Sequence, residues 1–177
     1  LTLASRLQMA LHALCLRRGD TSAAHVIAHA FAAQFATNVL GPDGLIFLAR
    51  HADATGHLAV GAAYYQHILS AFPRSTWAAE AALRVAQDAQ RHGDTGTAYR
   101  LLLQAESLVQ DVALAAEITA EHAAQLHAAG DLHGALQKYE EILANRAARG
   151  PLWPQALFGI GSIHEELRDY RKAIAYY

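Results

Sequence analysis

His25 and His29 stand four residues apart, a spacing that puts both imidazoles on one face of a helix and can chelate a metal ion. A stable site needs at least a third ligand, and no Cys, Asp or Glu converges on this pair by spacing. Structural or surface roles are therefore expected for the eleven histidines, and no metal ligand is assigned. His164-Glu165 in "IHEELRDY" lacks the second His of a zinc-protease helix. Cys15 lies within helical reach of His12, but a lone cysteine on an apolar helix reads as a small buried hydrophobe rather than a nucleophile. The "GPDG" at 41–44 lacks the Lys-Ser/Thr ending of a phosphate loop. Adjacent acids, Glu140-Glu141 and Glu165-Glu166, diverge around a helix and suit solvated faces, not acid–base pairs. No catalytic residue and no cofactor site is assigned, and the chain reads as a non-enzyme.

The elements that would position any site are helical. Ala and Leu dominate, whereas the β-favouring Val, Ile and Thr are sparse. At 177 residues the chain is long enough for a substantial core. Its net charge of −2, without a run of like charges, argues against a nucleic-acid stripe or a polybasic membrane patch. The most apolar stretch, "GLIFLA", is interrupted by Arg50 and Asp53, and no run reaches the 18 residues of a membrane span, so no membrane insertion by this segment is expected. A single cysteine excludes an intrachain disulfide. All cations except Lys138 and Lys172 are Arg, a usage that hints at a GC-rich, bacterial source. The opening Leu and the ending "RKAIAYY" read as an excerpt of a longer protein, cytoplasmic or periplasmic.

Gly19, Gly56, Gly93 and Gly130 recur every 37 residues, and Arg168 continues the series one residue late. Such a period marks a repeat array in which each unit is helix, tight turn, helix. The glycine closes the first helix in the left-handed conformation. The Asp that follows in four units (Asp20, Asp94, Asp131, Asp169) can cap the second helix; His57 holds that place in the remaining one. Further small residues keep register: Ala24, Gly61, Ala98, Ala135 and Ala173 five past the turn, and Ala49, Ala86, Ala123 and Gly161 seven before it, where His12 is the exception. A larger side chain there would hold paired helices apart. Nine past the turn stand Ala28, Tyr65, Leu102, Tyr139 and Tyr177, mostly large enough to fill the space between units. First helices are expected near 2–17, 43–54, 76–91, 112–128 and 153–166. Second helices are expected near 21–37, 58–71, 95–108, 132–147 and from 170 onward.

A small residue before the turn, Gly at it, Ala after it, an aromatic beyond and a closing Pro73 together resemble the tetratricopeptide repeat (TPR). "ALFGIGSIHEELRDYRKAIAYY" carries the pattern best, with Ile160-Gly161 before the turn and Ala173 and Tyr177 after it. The chain is similar, more narrowly, to repeats of bacterial cell-envelope members of that family. It departs from them in period, since the usual unit is about 34 residues. The extra residues fall between units, as at "RSTWA". The resemblance implies an all-α solenoid: one repeat domain over 1–177 with units about 1–40, 41–74, 75–110, 111–149 and 150–177, stacked as antiparallel helix pairs in a right-handed superhelix.

That family binds protein or peptide partners on the exposed positions of its first helices. Here those positions would be Arg6, Met9, Asp43, Ile46, Arg50, Glu80, Leu83, Gln87, Glu117, His127, Phe158, Ser162 and Glu165. Members that clamp a C-terminal carboxylate use Lys and Asn at fixed first-helix places. The matching pairs here, Met9/Ala13, Ile46/Arg50, Leu83/Gln87, Ala120/Ala124 and Phe158/Ser162, offer only Arg50 as a cation. An apolar or mildly basic peptide or helix is the expected ligand, with changes at Glu80 or Glu117 touching binding but not stability. The alternatives are self-association through terminal-repeat residues Ala173, Ile174, Tyr176 and Tyr177, giving a homo-oligomer, or a docking arm for an enzyme or membrane protein whose catalytic part lies elsewhere.

Overall fold

A computed structural model describes residues 3–34, 40–145, 150 and 152–177. All regular structure among them is helical: α1 Leu3–Arg17, α2 Thr21–Gln34, α3 Pro42–Ala54, α4 Leu58–Ala71, α5 Ala78–Arg91, α6 Thr95–Leu108, α7 Val112–Ala128, α8 Leu132–Ala144, α9 Leu152–Glu166 and α10 Tyr170–Tyr176. The expected helix ends at 35–37 and 146–147 lie outside the described residues. No β-strand occurs among the described residues. The sequence order of helix, turn, helix is that of an α-solenoid.

The turns follow from local chemistry. Gly93, between α5 and α6, sits at φ +79°, where an L side chain is strained; Gly19, Gly56 and Gly130 match it within a few degrees. Arg168 takes the same left-handed conformation at φ 60° without glycine's freedom. One residue on, the Asp20, Asp94, Asp131 and Asp169 carboxylates each accept a hydrogen bond from a backbone N–H in the first turn of the next helix, at 3.0–3.3 Å. His57 makes no such bond. Asp111 caps α7 in the same manner, on Leu114 N–H at 2.8 Å, a first-helix cap that the repeat pattern did not single out.

The chain forms two compact units, Leu1–Val85 and Ala86–Tyr177. In the first, α1 pairs with α2, α3 with α4, and α2 lies against α3. Its core holds Ala24, Phe31, Leu45, Phe47, Ala49, Tyr65 and Ile68, all buried. In the second, α7 pairs with α8 and α9 with α10, while α7 also meets α6 and α9. There Ala120, Ala123, Ala135, Tyr139, Ile142, Ala156, Ile160 and Ile163 form one apolar cluster. The small residues five past each turn are all buried, Ala24, Ala98 and Ala135 completely. The steric reason is sharpest on α9. A Cβ on Gly159 would sit 2.5 Å from the Tyr139 ring, and one on Gly161 would sit 2.6 Å from the Tyr177 ring. Two large rings lie on α9 because it presents bare backbone to them.

Candidate functional site

The predicted first-helix positions fall into two groups, one in each unit. In the first unit Arg6 is exposed and Met9 half-buried on α1. Asp43, in the first turn of α3, is exposed and accepts from Trp77 Nε1 at 2.7 Å. About two turns further on, Arg50 holds both Glu80 carboxylate oxygens, through Nε at 2.7 Å and Nη2 at 2.5 Å, while its guanidinium lies 4.9 Å from the Trp77 ring centre. A planar fork of donors suits this two-pronged grip and the stacking on an aromatic face. The Glu80 bond, more than burial opposes it, holds the Arg50 guanidinium charged.

Three positions expected on the surface are buried. Ile46 and Leu83 are 1% and 0% exposed, and Glu80 is 8% exposed. The whole run Gly44–Ala49 of α3 is covered, and so is Ala78–Leu83 of α5. These helices are packed on more than one side, so the single outward stripe assumed from the repeat register is narrower than expected. Glu80 is thus part of an interhelical ion pair, and its replacement would cost stability as well as any binding.

In the second unit, Gln87 Nε2 donates to Glu121 at 3.1 Å, linking α5 to α7. Glu117 and Ser162 are half-buried. His127 Nε2 lies 2.7 Å from Glu166, joining α7 to the end of α9. Phe158 is 66% exposed on α9, its ring 5.6 Å from that of Tyr177, and the Tyr177 hydroxyl donates to Glu165 at 2.9 Å. That hydrogen bond raises the Tyr177 pKa.

Sequence reasoning missed two interhelical polar clusters, each built around a buried histidine. In the first unit His12 Nε2 lies 2.7 Å from His51 Nδ1, and His51 Nε2 lies 3.4 Å from His25 Nδ1. The only available signal was His12 itself, the one bulky residue at a station that is otherwise small. Beside this row, His25, His29, Leu48, His51, Val60 and Tyr64 line much of a partly open, mainly apolar cavity of about 240 Å³. Among the described residues no group of three His, Cys, Asp or Glu side chains is placed to hold a metal. In the second unit Glu106 Oε1 accepts from Lys138 Nζ at 2.9 Å and lies 2.8 Å from His122 Nδ1. Burial alone would raise the Glu106 pKa, but His122 and Lys138 together bring it below the ordinary value. Spacings of 16 and 32 residues gave no hint of that triad.

Glu80, Glu106 and Glu166 each pair with a base on another helix. No helix among the described residues is long and apolar enough to cross a membrane.

No family model matches the chain, and no curated protein matches it in sequence. Solved structures do match in shape. BtubC from P. vanneervenii aligns with TM-score 0.73 and 19% identity, covering 94% of this chain and 74% of that one. PilF of Pseudomonas aeruginosa aligns with TM-score 0.74 and 18% identity, covering 98% of this chain and 73% of that one. MamA of Desulfovibrio magneticus RS-1 aligns with TM-score 0.72 and 14% identity, covering 99% and 92%. All three contain tetratricopeptide repeats. At these identities the likeness speaks to fold, and with the left-handed turns, Asp caps and buried small residues it makes this chain a TPR-like α-solenoid.

Proposed function

We propose that this chain is a non-enzymatic scaffold that holds a peptide or helix of a partner protein on the exposed faces of its first helices. The observation that carries the reading is Phe158. A large ring left 66% exposed on α9, beside the Tyr177 ring and within a turn or two of Glu165, offers an apolar contact next to an acid. Exposed aromatic anchors supply most of the energy in peptide recognition, and a nearby carboxylate selects against acidic partners. In the first unit, Asp43, Trp77 and Arg50 present a second ordered patch, already fixed by mutual contacts and so cheap to bind against. Arg50 is committed to Glu80, which speaks against capture of a terminal carboxylate there.

The test is a displayed random-peptide library selected on the whole chain. Enrichment of sequences pairing apolar residues with Lys or Arg is expected. Phe158→Ala should weaken the selected peptide at least about tenfold, and Glu165→Gln by less, with thermal stability unchanged. Peptides that bind equally well to both variants would reject the proposed face.

A second reading, self-association, keeps Ile174 and Tyr177 of the expected face and adds Leu167 and Tyr170, all more than half exposed, whereas Ala173 is buried and Tyr176 half-buried. Sedimentation separates the two. A monomer at high concentration removes self-association and leaves peptide binding standing.

A further inference from the structure

The first unit packs imidazoles against one another, two of them buried and the third, His25, exposed. His12 on α1, His51 on α3 and His25 on α2 form a row from three helices, with ring nitrogens 2.7 Å and 3.4 Å apart. His12 is 4% exposed and His51 7%. The His12 ring also stands edge-on to Phe47 at 4.7 Å, so the buried end of the row is set into apolar packing, while His25 closes it at the surface.

A neutral imidazole has one N–H and one bare nitrogen. Three neutral rings can therefore satisfy one another in a single direction, each donating at one end and accepting at the other. A proton added to His51 makes both of its nitrogens donors. The neighbour that had been donating to it must then shift tautomer, and a positive charge is left among apolar side chains. The groups whose charges act on His51 are His12 from α1, His25 from α2 and His57 from the start of α4. All three are bases. Asp53, on the same helix as His51, is taken by the Tyr65 hydroxyl at 2.8 Å. Nothing in this set would stabilise an imidazolium, and each of these rings makes protonation of His51 harder.

We propose that the His12–His51–His25 row is an acid-sensitive latch that holds the α1–α2 hairpin on α3, closed while its rings are neutral and released when they take up protons. The neighbouring cavity of about 240 Å³ gives the protonated rings a way out, since His25 and His51 already line it.

The direction of the response follows from linkage. Burial, reinforced by the charges of His12, His25 and His57, lowers the His51 pKa to about 4 from 6.5, and burial lowers that of His12 as well. The open hairpin therefore binds protons at a higher pH than the closed one. The closed form keeps its full advantage above about pH 6.5 and loses it as the pH falls toward 4, by up to roughly tenfold per pH unit for one such group. Some of that is recovered as rings turn into the cavity, so about a tenfold net rise in opening is expected between pH 7.5 and 5.0.

Amide hydrogen exchange on the whole chain, corrected for the intrinsic pH dependence of exchange, reads this opening directly. Protection across α1 and α2 should fall about tenfold at pH 5.0 relative to pH 7.5, while α8 and α9 keep theirs. Equal loss in every helix, or none in α1 and α2, overturns the latch. His51→Gln keeps a hydrogen-bonding side chain that does not titrate and should shrink the selective loss, leaving only the part due to His12; a variant that shows the full loss overturns the proposal. Should His51→Gln disturb the hairpin at neutral pH, NMR titration of His51 in the unmodified chain decides. Titration below about pH 5 supports the latch, and titration at or above its ordinary value of about 6.5 overturns it.

Discussion

His51 in the first unit and His122 in the second are both buried, 7% and 4% exposed, and each lies on a first helix. Their surroundings are opposite. His51 meets two other imidazoles, whereas His122 lies 2.8 Å from a carboxylate that Lys138 also holds. A buried titratable group is stable only in the charge state its neighbours complement. The same residue type therefore makes the first unit tolerant of neutral rings and sensitive to acid, while in the second it helps to hold a carboxylate in its charged form. Glu106 moves the other way: its depressed pKa means that its stabilisation is present above the ordinary carboxyl value and fades as the pH falls through the lowered one. Between pH 6.5 and 5 the two units should part company, the first loosening and the second holding.

The strongest way to break this contrast is mechanical. Ala24→Trp in the first unit and Ala135→Trp in the second each force a large ring into a site with no exposure, and each should cost about 3 kcal/mol in urea unfolding. A loss near zero in either would show that the helix pair there is not closed around that station. Next in size is Glu106→Leu, which strands Lys138 and His122 and should cost about 2 kcal/mol at neutral pH, with the deficit shrinking on acidification below about pH 4.5. Arg168→Gly should gain about 1 kcal/mol, because the left-handed turn there is carried by a residue with a Cβ, while Gly130→Ala should lose a similar amount. Thermal melts of the pair test one conformational argument in both directions. Gln125 is 5% exposed with no hydrogen-bond partner for either side-chain atom among the described residues. Its replacement by Met should be neutral or stabilising by up to about 1 kcal/mol, measured the same way. Smallest of all, Phe158→Ala should change stability by less than about 0.5 kcal/mol despite its effect on peptide binding.

Much of the fold was legible because it is written locally. Gly93 and Asp94 need only their own neighbours to end one helix and begin the next, and helices α4, α6 and α7 begin and end where the spacing placed them. The small residues could be found because a repeat states its steric demand several times. Ile46, Glu80 and Leu83 were misplaced for the converse reason. Which sides of a helix are covered depends on how many neighbours it has, and α3 and α5 are covered more broadly than one amphipathic stripe implies. Glu80 also finds Arg50 thirty residues away, a pairing no local spacing foretells.

From its sequence alone the chain declares an all-helical repeat, its turns, its caps and the stations where only a small side chain fits. Those are properties of short segments, repeated until the pattern stands above chance. Tertiary structure alone decided which polar side chains meet: His12 with His51, Glu106 with Lys138, His127 with Glu166. Each pair spans about one repeat of chain, and the alignment of neighbouring helices, to within a fraction of a turn, selects whether a buried base faces an acid or another base.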